Sequence, residues 1–394
     1  MRYSSRIERL GGEGSDAWIV HDRAVRRMHR GDEIYLLSIG DPDFETPAPI
    51  RQAAVSALAT GRTHYSPSGG EPALRSAIAD RASGAIGMKV DPGQVIIYPG
   101  AQAALFALAQ CLFDPGDEVI VPEPTYVTYE ALLGAAGASM RQIPLRPERG
   151  FHLDPEDISR AIGPRTRGIM LNFPHNPTGA TLTREEAEAT AELCRRHDLA
   201  VISDEVYSAL NFTGEFVSLA SLPGMAERTA VVSSLSKSHA MTGWRCGWSI
   251  TPMPLAGHLE KLVRCMHFGV AQFVQDAGAA AFHHADQEAA QLRAAYLGRA
   301  RVVVDRLAGV SGVACRLPEA GMYVFADVRG TGMDGKRFAS ELLDATGVAV
   351  TPGEGFGPSG AGHVRITLGT SEPRLGEACD RIAGFVESMV ARAS

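Results

Sequence analysis

The sequence predicts an α/β fold: a large domain with a mostly parallel central sheet sandwiched by helices, plus a smaller α+β domain. Three observations carry the fold class. From residue 95 onward, short segments rich in Val and Ile alternate with helical stretches. Those segments are apolar throughout and do not alternate, which marks strands covered on both faces. The last hundred residues change style, with short strands set between a few long helices. A chain of 394 residues with 45% apolar content can bury a full core. At roughly 100–200 residues per domain, two domains are expected. We place the large one at 46–285 and the small one at 1–45 together with 286–394.

The elements follow in order. Residues 1–45 read as mixed and irregular, ending in LLSIGDPDFETP. Thr46 and two prolines announce a helix over 48–60, GRTHYSPSGG is a turn-rich loop, and 71–84 is a helix with Leu74, Ile78 and Ala82 on one face. QVIIYP, EVIVP, ASMRQIPL, TRGIMLN, LAVISDE, TAVVSSLS and CGWSI are strands. Between them, GAQAALFALAQCLF and TYVTYEALLGAAG read as helices, and Asp154 opens a short one in DPEDISRAI. TREEAEATAELCRRH has acids first and bases last, as the helix dipole prefers. Helices then dominate from 254 to 309, with one long helix at 286–308. VACRLP, MYVFADV, GVAV and HVRITLG are strands of the tail, with helices at 335–345 and 372–391.

Composition narrows the function. The formal net charge of −7 favours neither nucleic acid nor an anionic membrane. Six scattered cysteines show no CxxC or Cys/His ligand spacing, so no metal is expected and the thiols read as reduced. The N-terminal stretch has no apolar signal core, and no segment approaches the ~18 apolar residues a membrane span needs. A soluble cytoplasmic protein is expected.

Parallel sheets bind ligands at the C-terminal ends of their strands. Gly100-Ala101-Gln102 follows QVIIYP and enters a helix. Asn172 and the turn FPHNPTG follow TRGIML. Asp204, Glu205 and Tyr207 follow LAVIS, and Ser234, Ser236 and Lys237 follow TAVVS. Taken singly, each has an ordinary reading: a tight turn, an N-cap, a solvated lysine. Together they bring a helix N-terminus, an amide, a carboxylate, a phenol and an amine to one sheet edge. The chain holds four lysines in all.

With these residues in hand, the chain resembles the class I/II aminotransferases of fold type I, which use pyridoxal 5′-phosphate (PLP). The resemblance rests on GAQAAL, NFPHNPTG, SDEVY, SLSKSHAMTGWRCGW and VRITLG, which span nearly the whole chain. LLSIGDPDF, EPTYVTYEA and VSLASLPGM look similar to the arginine:pyruvate branch of that family. The resemblance implies that Lys237 forms the internal aldimine with PLP, a task needing a neutral, partly desolvated amine. Asp204 would keep the pyridine nitrogen protonated. Asn176 and Tyr207 would bond the ring hydroxyl, and Tyr126 would stack on the ring. The phosphate would sit on the helix N-terminus at Gly100, Ala101 and Gln102, with Ser234, Ser236 and Arg245 completing the cup. Tyr65 matches a tyrosine that reaches the phosphate from a neighbouring subunit, which implies a homodimer with shared sites. Arg365 matches the arginine that grips the substrate α-carboxylate. Gly40 would lend a backbone contact there.

The resemblance also bears on the substrate. Aspartate aminotransferases of the similar subgroup carry a lysine where this chain has Gln102, which argues against a dicarboxylate as preferred donor. Asp16 and Glu354 fall in segments that line the entrance and would meet a cationic side chain; as solvated acids of glycine-rich loops they would do nothing. Trp18 would wall the pocket. The expected reaction moves an amino group from a basic, arginine-like L-amino acid to a 2-oxo acid such as pyruvate. Alternatives are donors of the aspartate, alanine or aromatic kind, or a PLP β-lyase acting on a sulfur amino acid. A nicotinamide oxidoreductase would need a GxGxxG after an early strand, which is missing, and would leave Lys237 unexplained.

Overall fold

The computed structural model describes residues 1–10, 17–87, 89–214 and 216–393. Its strands run in chain order as β1 (Tyr35–Leu36), β2 (Val95–Tyr98), β3 (Glu118–Glu123), β4 (Ser139–Pro144), β5 (Thr166–Asn172), β6 (Ala200–Asp204), β7 (Thr229–Ser234), β8 (Gly247–Ile250), β9 (Tyr323–Asp327), β10 (Val348–Ala349), β11 (Thr351–Pro352) and β12 (His363–Thr367). Seven of them form the central sheet in the order β2-β8-β7-β6-β5-β3-β4. Only β8 is antiparallel to its neighbours β2 and β7. The fold is therefore the predicted α/β sandwich with a mostly parallel sheet.

The uniform apolar character of the strands has a direct cause. Along β5, Ile169 and Leu171 pack into one cluster with Ile120 and Val201, while Met170 packs into another with Val121, Ile202 and Val232. Both faces are therefore buried. Helices Ala101–Leu112 and Met253–Met266 contribute to the second cluster, and helix Arg184–Arg196 contributes to the first. That last helix starts at a capping box in which Thr183 and Glu186 satisfy each other's end of the chain.

A further core joins Val20–Leu37 to residues from Leu292 to Val386, and includes Tyr207, Leu210 and Ala240. Over it lie the antiparallel sheet β11-β12-β9 and the pair β1-β10. The long helix Asp286–Leu307 appears as expected. Two local readings do not. Residues 1–45 contain a helix, Ile19–Met28, whose buried side is only Val20 and Ala24. So few apolar positions leave little periodic signal. VACRLP makes no strand beyond an isolated bridge from Ala314 to Asp327.

Among the described residues, no helix is long and apolar enough to cross a membrane, and no cluster of His, Cys, Asp or Glu is arranged to hold a metal ion.

Candidate active site

Parallel pairing brings the strand ends into line. Asn172 at the end of β5 pairs with Asp204 at the end of β6. The antiparallel β8 enters from the same edge: Gly247 pairs with Tyr98 of β2 and with Ser234 of β7. That reversal delivers Arg245 to the edge where the parallel strands end. These residues open onto a cavity of about 420 Å3.

One end of the cavity is cationic. Gly100 adopts φ +91° and opens the helix Ala101–Leu112 with no side-chain cap. The helix therefore presents free N–H groups at its start. A Cβ on Gly100 would lie 2.3 Å from Arg245 Nη2, so only glycine lets the guanidinium come this close. Arg245 donates to the Thr242 carbonyl at 2.9 Å and makes no ion pair among the described residues. Ser234 and Ser236 are buried beside it and line the cavity, as do Ala101 and Gln102.

Lys237 is half-buried and donates from Nζ to the Gly40 carbonyl at 2.6 Å. Asp204 is buried. Burial pushes its carboxyl up to about 6, although the Tyr129 hydroxyl and the Val206 amide both pull it down. Tyr129 donates to Asp204 Oδ2 at 2.6 Å and Val206 N to Oδ1 at 3.3 Å. Asn172 ties the loop after β5 to this point: its Nδ2 donates to the Asp204 carbonyl at 3.1 Å and its Oδ1 accepts from Asn176 N at 3.0 Å.

The opposite end belongs to Arg365. It is buried, donating from Nη1 to Asn176 Oδ1 and from Nη2 to the Ser38 carbonyl, each at 3.0 Å. Its guanidinium lies over the rings of Tyr323 at 4.3 Å and Phe356 at 4.9 Å. Arg365 Nε is buried without a partner, a donor left unsatisfied in this arrangement. Tyr207 Oη sits 3.1 Å from Tyr323 Oη.

Most residues singled out from the sequence thus meet in one cavity: Gly40, Ala101, Gln102, Tyr126, Asn176, Asp204, Tyr207, Ser234, Ser236, Lys237, Arg245 and Arg365. Trp18 joins them at the rim, edge-on to His21. Three do not. Tyr65 is 84% exposed and packs on Phe268, outside the cavity of its own chain. Asp16 lies outside the described residues. Glu354 corrects the reading of the sequence: it does not line the cavity. Its Oε1 instead accepts from the amides of Gly335 at 2.8 Å and Gly362 at 2.9 Å, so the fold has turned it inward to cap a helix start. Tyr129 and Tyr323 escaped the sequence reading. Tyr129 opens the helix Tyr129–Ala136, and its ring meets that of Tyr126 edge-on at 5.6 Å.

A family model described as aminotransferase class I and II matches residues 32–382. The arginine–pyruvate transaminase AruH of Pseudomonas aeruginosa is 52% identical over 97% of this chain and 98% of its own. An aspartate aminotransferase of Pyrococcus horikoshii is 37% identical over 92% of this chain and 93% of its own. Among solved structures, the aspartate aminotransferase from Thermus thermophilus with maleate superposes with a TM-score of 0.91 at 36% identity, covering 98% of this chain and all of that one.

Proposed function

The chain belongs to the class I and II aminotransferases, and from that premise we propose that it uses PLP to move an amino group from an arginine-like L-amino acid to a 2-oxo acid such as pyruvate. The observation that carries this is the convergence of Lys237, Asp204 and Arg365 on one cavity. The donor follows the 52% identical relative, whose name states arginine and pyruvate.

The residues fit the cofactor. A dianionic phosphate suits the uncapped helix start with Arg245, where a Cβ at Gly100 would intrude. Ser234 and Ser236 add hydroxyl donors. When bound, PLP supplies a protonated ring that draws in the electron pair released at the substrate Cα. Asp204 supports this as the counter-charge to the ring nitrogen, and Tyr129 keeps its Oδ2 oriented. Asn176 spends its Oδ1 on Arg365, which leaves its NH2 to donate to the ring hydroxyl oxygen. Tyr207 would donate to the same oxygen, and Tyr126 would cover the ring face.

Arg365 grips the α-carboxylate. The orphan Nε and the fork of Nη groups suit a bidentate pair. With the carboxylate held, Lys237, the one lysine lining the cavity among the described residues, would be the base that takes the Cα proton and later returns it. A second half-reaction runs the same steps in reverse on the 2-oxo acid, so the kinetics are ping-pong. Asp16 and Trp18 are proposed to face the donor side chain, with Gln102 in place of a second-carboxylate cation. Tyr65, exposed in its own chain, is proposed to serve the phosphate of a second copy in a homodimer.

The test is a half-reaction without acceptor. L-Arg, L-Lys, L-Ala, L-Asp and L-cystathionine are added separately to the yellow holoenzyme, and bleaching and ammonia are followed. Fast bleaching with L-Arg and no ammonia supports the reading. Bleaching with L-Asp alone overturns the donor, and continuous ammonia release without bleaching marks a lyase.

A further inference from the structure

Of the two phenols that meet at the cavity wall, Tyr207 has a role in the steps above and Tyr323 has none. Tyr323 is 3% exposed and belongs to β9, on the sheet that carries Arg365. Its hydroxyl lies 3.1 Å from that of Tyr207, which follows β6 of the central sheet. A Cβ on residue 40 would stand 1.8 Å from Tyr323 Oη, so the chain reserves this space by having glycine there. The same Gly40 offers the carbonyl that holds Lys237 Nζ. The Arg365 guanidinium lies over the Tyr323 ring at 4.3 Å. Among the described residues, the Tyr207 hydroxyl is the hydrogen-bond partner of the Tyr323 hydroxyl.

We propose that Tyr323 is a positioning residue that donates its hydroxyl proton to Tyr207 Oη and thereby commits the Tyr207 proton to the cavity. The reasoning is a matter of counting. Tyr207 has one proton and two lone pairs. If Tyr323 donates to one lone pair, the Tyr207 proton is free for the acceptor in front of it. A hydroxyl that accepts a hydrogen bond is also the stronger donor, because the two bonds polarise each other. Replacing Tyr323 by Phe keeps ring shape and cation–π contact and removes only this donor. Tyr207 is then free to turn its proton back or to donate more weakly. The inference rests on the functional reading above, in which the ring oxygen of PLP faces Tyr207.

The test is spectroscopic. The visible band of the holoenzyme is titrated with pH in the wild type, Y323F, Y207F and the double variant, with thermal unfolding run alongside to show that each is folded. Weaker donation leaves more negative charge on the ring oxygen, which holds the neighbouring nitrogen's proton to higher pH. The midpoint of Y323F is therefore expected to rise by roughly half a pH unit, the size of one neutral hydrogen bond. Y207F is expected to rise further, and the double variant to match Y207F, because Tyr323 acts only through Tyr207. An unmoved Y323F beside a wild type that titrates overturns this proposal alone, and so does a double variant showing the sum of the single shifts. A wild type that takes up no PLP overturns the functional reading, and this proposal with it.

Discussion

Arg365 and Asn176 stand 189 residues apart and share a hydrogen bond of 3.0 Å between Nη1 and Oδ1. It ties β12 of the small antiparallel sheet to the loop after β5 of the central sheet. The group proposed to hold substrate is thus fixed against a group proposed to hold cofactor. Lysine at 365 has one charged centre and no fork, so it cannot satisfy Asn176, Ser38 and a carboxylate together. R365K is expected to raise KM for every amino donor by about 10- to 100-fold, the worth of one lost charge-assisted bond. Half-reaction rates against donor concentration check this. A KM within twofold of wild type would remove Arg365 from the substrate site.

Asp204 is an acid buried at the expense of stability. Burial raises its folded pKa to about 6, above the ordinary carboxylate value near 3.8. The folded state therefore binds the proton more tightly than the unfolded chain. Stability is greatest below about pH 4 as far as this group is concerned, and falls as pH rises toward about 6. The loss is about 3 kcal/mol by linkage, to order of magnitude. D204N removes the titration and keeps an acceptor for Tyr129. The cofactor-free D204N protein is expected to be more stable than the wild type at pH 7 by about 1–3 kcal/mol, yet nearly inactive when loaded. Urea unfolding at pH 5 and 7 checks it. Glu205, also buried and raised to about 7, contributes a slope of the same sign that D204N leaves in place.

Tyr129 shapes that carboxylate from below. It is buried, and its hydroxyl bonds Asp204 Oδ2 at 2.6 Å. Y129F leaves that oxygen without its donor, so the Asp204 pKa climbs further. Protons then compete better with the ring cation for Asp204. Cofactor retention on dialysis is expected to fall about tenfold at pH 6 and less at pH 8, consistent with one hydrogen bond to a charged group. Equal loss at both pH values would mean that Tyr129 only fills space.

The polar ends of the strands were legible because Asn172, Asp204 and Ser234 with Lys237 follow three successive apolar strands, and their ordinary readings would all have to coincide at one sheet edge. The residues behind them were not. Tyr129 and Tyr323 sit in apolar segments, where a tyrosine reads as one more core ring until a partner for its hydroxyl is seen. β8 was legible as a strand, but nothing in GWSI distinguishes antiparallel from parallel. It is this reversal that puts Arg245 at the cationic end of the cavity. Glu354 failed for the opposite reason. A glycine-rich loop suggests solvent, yet those glycines let the chain fold back and place the carboxylate against the amides of Gly335 and Gly362. Local sequence cannot carry a contact made by a turn.

Gln102 offers the sharpest test of donor choice. It lines the cavity one residue into the helix that starts at Gly100, and its Oε1 accepts from Thr128 Oγ1 at 3.2 Å. This pair is neutral, so nothing in it repels a guanidinium or attracts a second carboxylate. A lysine at this position would do both. A like charge inside a partly desolvated cavity is worth more than on the surface, so the effect on a cationic donor should be large. Q102K is expected to lower kcat/KM for L-Arg by about 100-fold and raise that for L-Asp by about tenfold, from one charge changing the sign of its interaction with each side chain. Both shifts should shrink at high salt, since the cavity opens to solvent at the Trp18 rim. If L-Arg and L-Asp change by the same factor, Gln102 does not face the donor side chain, and the selection for a cationic donor must be sought elsewhere along the rim.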